Sequence, residues 1–136
     1  MVFPVHQPLL LVVLDDGERS ALLKMTLEGR GWIVVRAHTC EQARERAASL
    51  RVDALLTDLV LGDGSAFGLL KSMPVRPSVS AVLTWGNQHG IRERITMSGF
   101  DLHLCRPITA VEIDCALRAQ LEKLRRGGLP PSRKSA

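Results

Sequence analysis

The segment Leu9-Leu-Leu-Val-Val-Leu14 is apolar at every position and stops on two adjacent acids, Asp15 and Asp16. A strand with one wet face alternates polar and apolar residues. An unbroken apolar run of this length instead fits a strand covered on both faces, as in a parallel sheet flanked by helices. Three comparable runs follow, at Trp32-Ile-Val-Val35, Ala54-Leu-Leu56 and Val79-Ser-Ala-Val-Leu83, with a shorter one at Leu102-His-Leu104. Between them the apolar spacing becomes that of a helix: Leu23 and Leu27 after the first run, Ala43, Ala47 and Leu50 after the second, Ile113, Leu117, Leu121 and Leu124 after the last.

Helix punctuation agrees with this division. Thr39-Cys-Glu-Gln42 and Thr109-Ala-Val-Glu112 have capping-box spacing, in which the Thr hydroxyl accepts from an orphan amide and the Gln or Glu reaches back. Gly29 and Gly31 close the first helix, Gly99 the fourth, and Gly127-Gly-Leu-Pro-Pro131 stops the last. Five strand–helix units predict a doubly wound α/β fold, with five parallel strands in the order 2-1-3-4-5, five flanking helices and a ligand site at the carboxyl ends of the strands. The chain has 136 residues, 46% of them hydrophobic and 24% charged, which suits one domain. That domain is expected over residues 9–124, after an irregular lead-in at 1–8 and before a disordered basic tail containing Gly and Pro at 125–136.

The formal net charge is +4, yet six of the 18 Lys and Arg side chains fall in residues 118–136 against a single acid, Glu122. The remainder is nearly neutral, so direct nucleic-acid binding by this chain is not expected. The longest aliphatic run is too short to span a bilayer and no basic segment precedes it, which points to a cytoplasmic protein without a membrane partner. Cys40, Cys105 and Cys115 form no Cys-x-x-Cys pair and read as three buried thiols, not as a disulfide framework or zinc site.

In the order 2-1-3-4-5 the first and third strands are neighbours, which brings Asp15 and Asp16 to the same edge as Asp58, the last residue of Asp53-Ala-Leu-Leu-Thr-Asp58. Taken singly, these acids read as helix N-caps or a turn residue. Taken together, like charges at one edge call for a cation, and oxygen donors favour a hard ion such as Mg²⁺. Thr84 follows the fourth run with a hydroxyl, and Arg106-Pro107 follows the fifth with a fixed positive charge. A cation, a hydroxyl and a guanidinium around one carboxylate suit a phosphoryl group, because each neutralises or hydrogen-bonds an anionic oxygen.

On these residues the chain resembles the receiver domains of bacterial two-component response regulators, over residues 9–124. The resemblance rests on Leu-Val-Val-Leu-Asp15-Asp16, on Asp58-Leu-Val-Leu-Gly62-Asp-Gly-Ser-Ala66, on Thr84-Trp85, and on Gly99-Phe-Asp-Leu-His103-Leu-Cys-Arg106-Pro107. It implies a flavodoxin-like fold and a reversible switch, in which Asp58 takes a phosphoryl group from a histidine kinase or histidine phosphotransfer protein. It further implies Mg²⁺ held directly by Asp16, Asp58 and the Val60 main-chain carbonyl, with Asp15 acting through water. Thr84 and Arg106 would meet the phosphoryl oxygens, and the face of the fourth helix, fifth strand and fifth helix would repack, a candidate homodimer surface. Such a domain catalyses its own modification and is not a turnover enzyme; its downstream effector is not legible.

Four positions depart from the family's pattern. Arg106 stands where it has Lys, keeping the charge on a longer, planar group. His103 replaces a Tyr or Phe and reads as a half-exposed strand residue; Trp85 replaces a small residue and reads, like Trp32, as packing, set to narrow the mouth of the site. Gly62 replaces a Pro. Val60 and Gly86, two residues beyond Asp58 and Thr84, carry no polar side chain to orient a hydrolytic water, so dephosphorylation without help from them is expected. Three rival readings stand beside this one: the receiver of a longer DNA-binding transcriptional regulator, a pseudo-receiver that binds a partner without phosphorylation, and a small Mg²⁺-dependent aspartate phosphatase, whose Asp-x-Asp after the first strand is missing here.

Overall fold

The computed structural model describes residues 7–86 and 90–127. Its elements alternate as expected: β1 (Leu9–Val13), α1 (Gly17–Glu28), β2 (Ile33–Ala37), α2 (Cys40–Ala48), β3 (Ala54–Asp58), a hairpin of β4 (Val60–Leu61) and β5 (Gly64–Ser65), α3 (Ala66–Ser72), β6 (Val79–Trp85), α4 (Ile91–Met97), β7 (Leu102–Arg106) and α5 (Ala110–Arg126). Five strands form one parallel sheet in the order β2-β1-β3-β6-β7, which is the expected 2-1-3-4-5 of a flavodoxin-like fold. The antiparallel β4–β5 pair is additional; at two residues per strand it has no periodicity to read. The lead-in and tail expected at the two ends fall mostly outside the described residues, and α5 runs to Arg126, two residues past the expected domain edge.

The continuous apolar runs are explained by burial on both faces. Leu10, Val12, Leu56, Ala81 and Leu83 point to one layer, where Leu27 of α1 and Ile113 and Leu117 of α5 close over them. Leu11, Val13, Leu55 and Val82 point to the other, against Ala43 and Ala47 of α2, Leu69 and Leu70 of α3, and Ile91 and Ile95 of α4. Leu50 lies beyond the end of α2 and Leu124 is on the exposed side of α5, so these two do not extend the apolar faces assigned to them. Trp32 is buried, as expected for a packing residue, but Trp85 is 60% exposed. Only Cys40 is a buried thiol; Cys105 is half-buried on the edge strand β7, and Cys115 is exposed on α5, contrary to the expectation of three buried thiols.

Both Thr hydroxyls cap as read from sequence, but the reach-back of Gln42 goes to the His38 amide, at 2.8 Å, and not to that of Thr39. Thr39 Oγ1 accepts from the Gln42 amide, and Thr109 with Glu112 completes a reciprocal capping box. Gly99 has φ +98°, a left-handed conformation that suits glycine, and its carbonyl accepts from Arg76. Among the described residues no helix is long and apolar enough to cross a membrane.

Strands β3, β6 and β7 run two residues past their apolar segments. Asp58 pairs with Leu83, Thr84 with Cys105 and Trp85 with Arg106 in the parallel ladder. Asp58, Thr84 and Arg106 therefore sit on hydrogen-bonded strand ends at one edge of the sheet, whereas Asp15 and Asp16 lie in the connection between β1 and α1.

Candidate functional site

A cleft of about 310 Å³ opens at the carboxyl edge of the sheet, lined by Asp15, Asp58, Leu59, Val60, Thr84, Trp85, Gly86 and Arg106 among others. Asp58 lies on the central strand, its side chain 13% exposed, and both oxygens have partners. Oδ1 accepts from Arg106 Nη2 at 2.6 Å, and Oδ2 accepts from the Asp15 amide at 3.1 Å. The Arg106 side chain is 11% exposed, so the pair is largely withdrawn from solvent and the carboxylate is neutralised from within the chain. The Arg106–Pro107 peptide is cis.

Thr84 is 6% exposed and its hydroxyl is turned along the sheet toward β7. Oγ1 donates to the Gly86 carbonyl at 3.2 Å and lies 2.6 Å from His103 Nε2. No hydrogen bond joins Thr84 to Asp58 among the described residues. The other ring nitrogen of His103, Nδ1, is buried and has no partner among them. Burial pushes the pKa of His103 down, and the charge of Arg92 on α4 pushes the same way; both disfavour the imidazolium. His103 is thus a half-buried group tied to Thr84 and not simply a strand residue facing outward.

Asp16 departs from its expected place. Its Oδ1 accepts from the Glu18 and Arg19 amides at 3.0 and 3.2 Å as the N-cap of α1, its Oδ2 lies 3.6 Å from Arg19 Nε, and it does not line the cleft. The hard oxygens of Asp15, Asp58 and Val60 are the donor chemistry that Mg²⁺ prefers. The arrangement does not present them as a metal site. The helix start competes for Asp16, Arg106 and the Asp15 amide occupy Asp58, and among the described residues no group of three or more His, Cys, Asp or Glu could hold a metal ion. Of the three acids expected together, Asp15 and Asp58 share the cleft and Asp16 turns into the helix.

Two features outside the cleft lining carry no signal in sequence. Asp63, at the tip of the β4–β5 hairpin, reaches across to the first turn of α2 and accepts from the Cys40 and Glu41 amides at 2.8 and 3.1 Å. These bonds hold its carboxyl below the usual carboxylate range. A capping residue so far from its helix in sequence has no local spacing to betray it. The second is Arg19, whose guanidinium carbon lies 5.3 Å from the centre of the Trp85 ring, while that of Arg106 lies 5.2 Å from the same centre.

A larger groove, about 1160 Å³, lies at the opposite edge of the sheet beside Pro8, Asp53, Ser78 and α5. Its central acid, Asp114, is 3% exposed and already bonded to Trp32 Nε1 at 2.7 Å, Arg30 Nε at 2.6 Å and Arg118 Nε at 2.7 Å. Burial pushes the Asp114 carboxyl up, but these three bonds outweigh it and hold the pKa below the usual range. That network is a structural anchor between α5 and the turn after α1.

No family model matches the chain. Among curated proteins it is 26% identical over 115 residues to the transcriptional regulatory protein TrcR of Mycobacterium tuberculosis, covering 83% of this chain and 45% of that protein. The chain spans about half the length of the curated relatives it matches. Among solved structures, a CheY-like response regulator receiver domain from Methanospirillum hungatei superposes with a TM-score of 0.81 at 20% identity, covering 89% of this chain and 98% of that one. A response regulator from Burkholderia pseudomallei, described as carrying a phosphorylated aspartic acid, calcium ion and citrate, superposes at 0.72 with 24% identity, covering 90% and 73%. The fold is that of the response regulator receiver domains.

Proposed function

We propose that this chain is a cytoplasmic receiver domain that accepts a phosphoryl group on Asp58 from a phosphohistidine of a histidine kinase or phosphotransfer protein. The observation that carries the reading is the Asp58 carboxylate itself: it sits at the end of the central strand, is open to a cleft, is paired to Arg106 at 2.6 Å, and shares that cleft with Thr84. The fold shared with the receivers and the distant likeness to TrcR support it.

An Asp58 oxygen lone pair attacks the donor phosphorus. The phosphorus–nitrogen bond breaks with its electron pair leaving on the imidazole, which takes up a proton, and Asp58 becomes an acyl phosphate. Arg106 keeps its positive charge beside the oxygens throughout, where charge on the transferring group is greatest. Thr84 reaches a phosphoryl oxygen only by leaving Gly86 and His103, so phosphorylation would be coupled to a change on β7 and the adjoining faces of α4 and α5.

The test is to incubate the protein with phosphoramidate, with and without Mg²⁺, and to weigh it intact beside D58A. One added phosphoryl group in the wild type and none in D58A is the expected result. A gain that persists in D58A would move the acceptor elsewhere, and repeated turnover of a phosphoester would favour the phosphatase. No gain at all would favour the pseudo-receiver. The match to half the length of a transcriptional regulator supports reading this chain as the receiver portion of such a protein.

A further inference from the structure

Six residues of β6 are buried, and the seventh, Trp85, is 60% exposed at the lip of the cleft. An indole left largely in water adds little to the core. Its ring is nevertheless approached by two guanidinium groups from different elements, Arg19 of α1 and Arg106 of β7, whose carbons lie 5.3 and 5.2 Å from the ring centre. Each arginine is tied at its outer side to an acid: Arg19 Nε lies 3.6 Å from Asp16, and Arg106 Nη2 donates to Asp58 at 2.6 Å. Asp16, Arg19, Trp85, Arg106 and Asp58 thus form one continuous row across the mouth of the site. Its central contact is set by the backbone, because Trp85 and Arg106 are register partners in the β6–β7 ladder.

We infer that Trp85 is the positioning residue for Arg106, and that the two act as a unit in which the ring fixes the guanidinium plane so that its edge faces Asp58 and the group bound there. This rests on the phosphoryl-acceptor reading of Asp58. A guanidinium near a ring face is attracted by the ring quadrupole and keeps all its N–H bonds in its own plane, available to oxygens; an ammonium has no such plane. Arg106 uses one nitrogen on Asp58, and its other N–H groups have no partner among the described residues. They are the donors that an incoming phosphoryl group would meet. Arginine at this position is then matched to tryptophan at its neighbour: lysine beside Trp85 loses the planar fork, and arginine without Trp85 loses the surface that orients it.

Four variants of the full chain test this: W85L, W85F, R106K and W85L/R106K, with circular dichroism to establish that each is folded. The first readout needs no phosphorylation. The Arg106 Nε–H resonance carries a ring-current shift in the wild type that is expected to disappear in W85L and to persist in part in W85F. The second is the rate of phosphoryl uptake from phosphoramidate by intact mass. W85L and R106K are each expected to slow uptake about fivefold, the upper end for a cation–π contact at an exposed ring. The double variant should be little slower than either, and W85F should recover most of the rate. An Arg106 resonance that is the same in W85L and wild type would overturn the inference, and so would multiplicative rate losses in the double variant. A wild type that takes up no phosphoryl group would instead overturn the reading of Asp58, leaving the resonance to decide the role of Trp85.

Discussion

Removal of Arg106 tests whether the site is held together by its own charges. Two unit charges about 4 Å apart near a protein surface attract by about 4 kcal/mol. Withdrawing two side chains that are 11% and 13% exposed offsets part of that. A net coupling of about 2 kcal/mol lies between the values for exposed and buried pairs. In R106A the Asp58 carboxylate keeps only the Asp15 amide as partner. The variant should therefore lose about 2 kcal/mol of stability, or about 8 °C in Tm for a domain of this size. D58N removes the charge while keeping the shape, so R106A should cost much less in a D58N background. Urea unfolding of the wild type, both single variants and the double variant, followed by circular dichroism, gives the coupling directly. A coupling below about 0.5 kcal/mol would show that the 2.6 Å contact contributes little and that Arg106 is free to leave Asp58 at small cost.

D114A should destabilise the fold by about 3 kcal/mol, because it leaves the buried Trp32 N–H without an acceptor and cuts α5 from the turn after α1; D114N, which still accepts from Trp32, should lose about half as much. Urea midpoints check both, and equal losses would remove the role given to the Trp32 bond. His103 predicts a pH dependence. Its folded pKa is lowered by burial and by Arg92, so the unfolded chain takes up the proton first as pH falls. The stability from the neutral ring is complete above the ordinary histidine pKa of about 6.5 and is lost progressively below it. The stability of wild type relative to H103F should then fall as pH is lowered through and below about 6.5; a difference that stays constant as pH falls through that value would mean that His103 titrates alike folded and unfolded.

The sheet was legible because burial on both faces writes itself into continuous runs such as Leu9–Leu14, and parallel order follows from the alternation with helices. Asp58, Asp15, Thr84 and Arg106 could be placed at one edge because strand order alone decides which ends are neighbours. Asp16 could not be placed by that logic. An acid after a strand and before a helix can serve a ligand or the helix, and only side-chain direction separates the two. Trp85 does lie at the mouth of the cleft, but its exposure is not legible, because hydrophobicity says that a tryptophan prefers cover and not that it will stand in solvent beside two arginines from elements far apart in sequence. Asp63 and Asp114 were missed for the same reason: their partners lie on other elements.

The two tryptophans occupy opposite optical environments. Trp32 is sealed at 2% exposure on the α1–α5 side, with Arg118 against its ring and its N–H bonded to Asp114. Trp85 stands in water at the lip of the cleft, flanked by the two other arginines. With only these two indoles in the chain, intrinsic emission is expected to divide into a blue component from Trp32, sensitive to global unfolding, and a red one from Trp85, sensitive to the surroundings of the cleft. The protein therefore carries a label-free probe of what enters the cleft, separable by wavelength from loss of the fold.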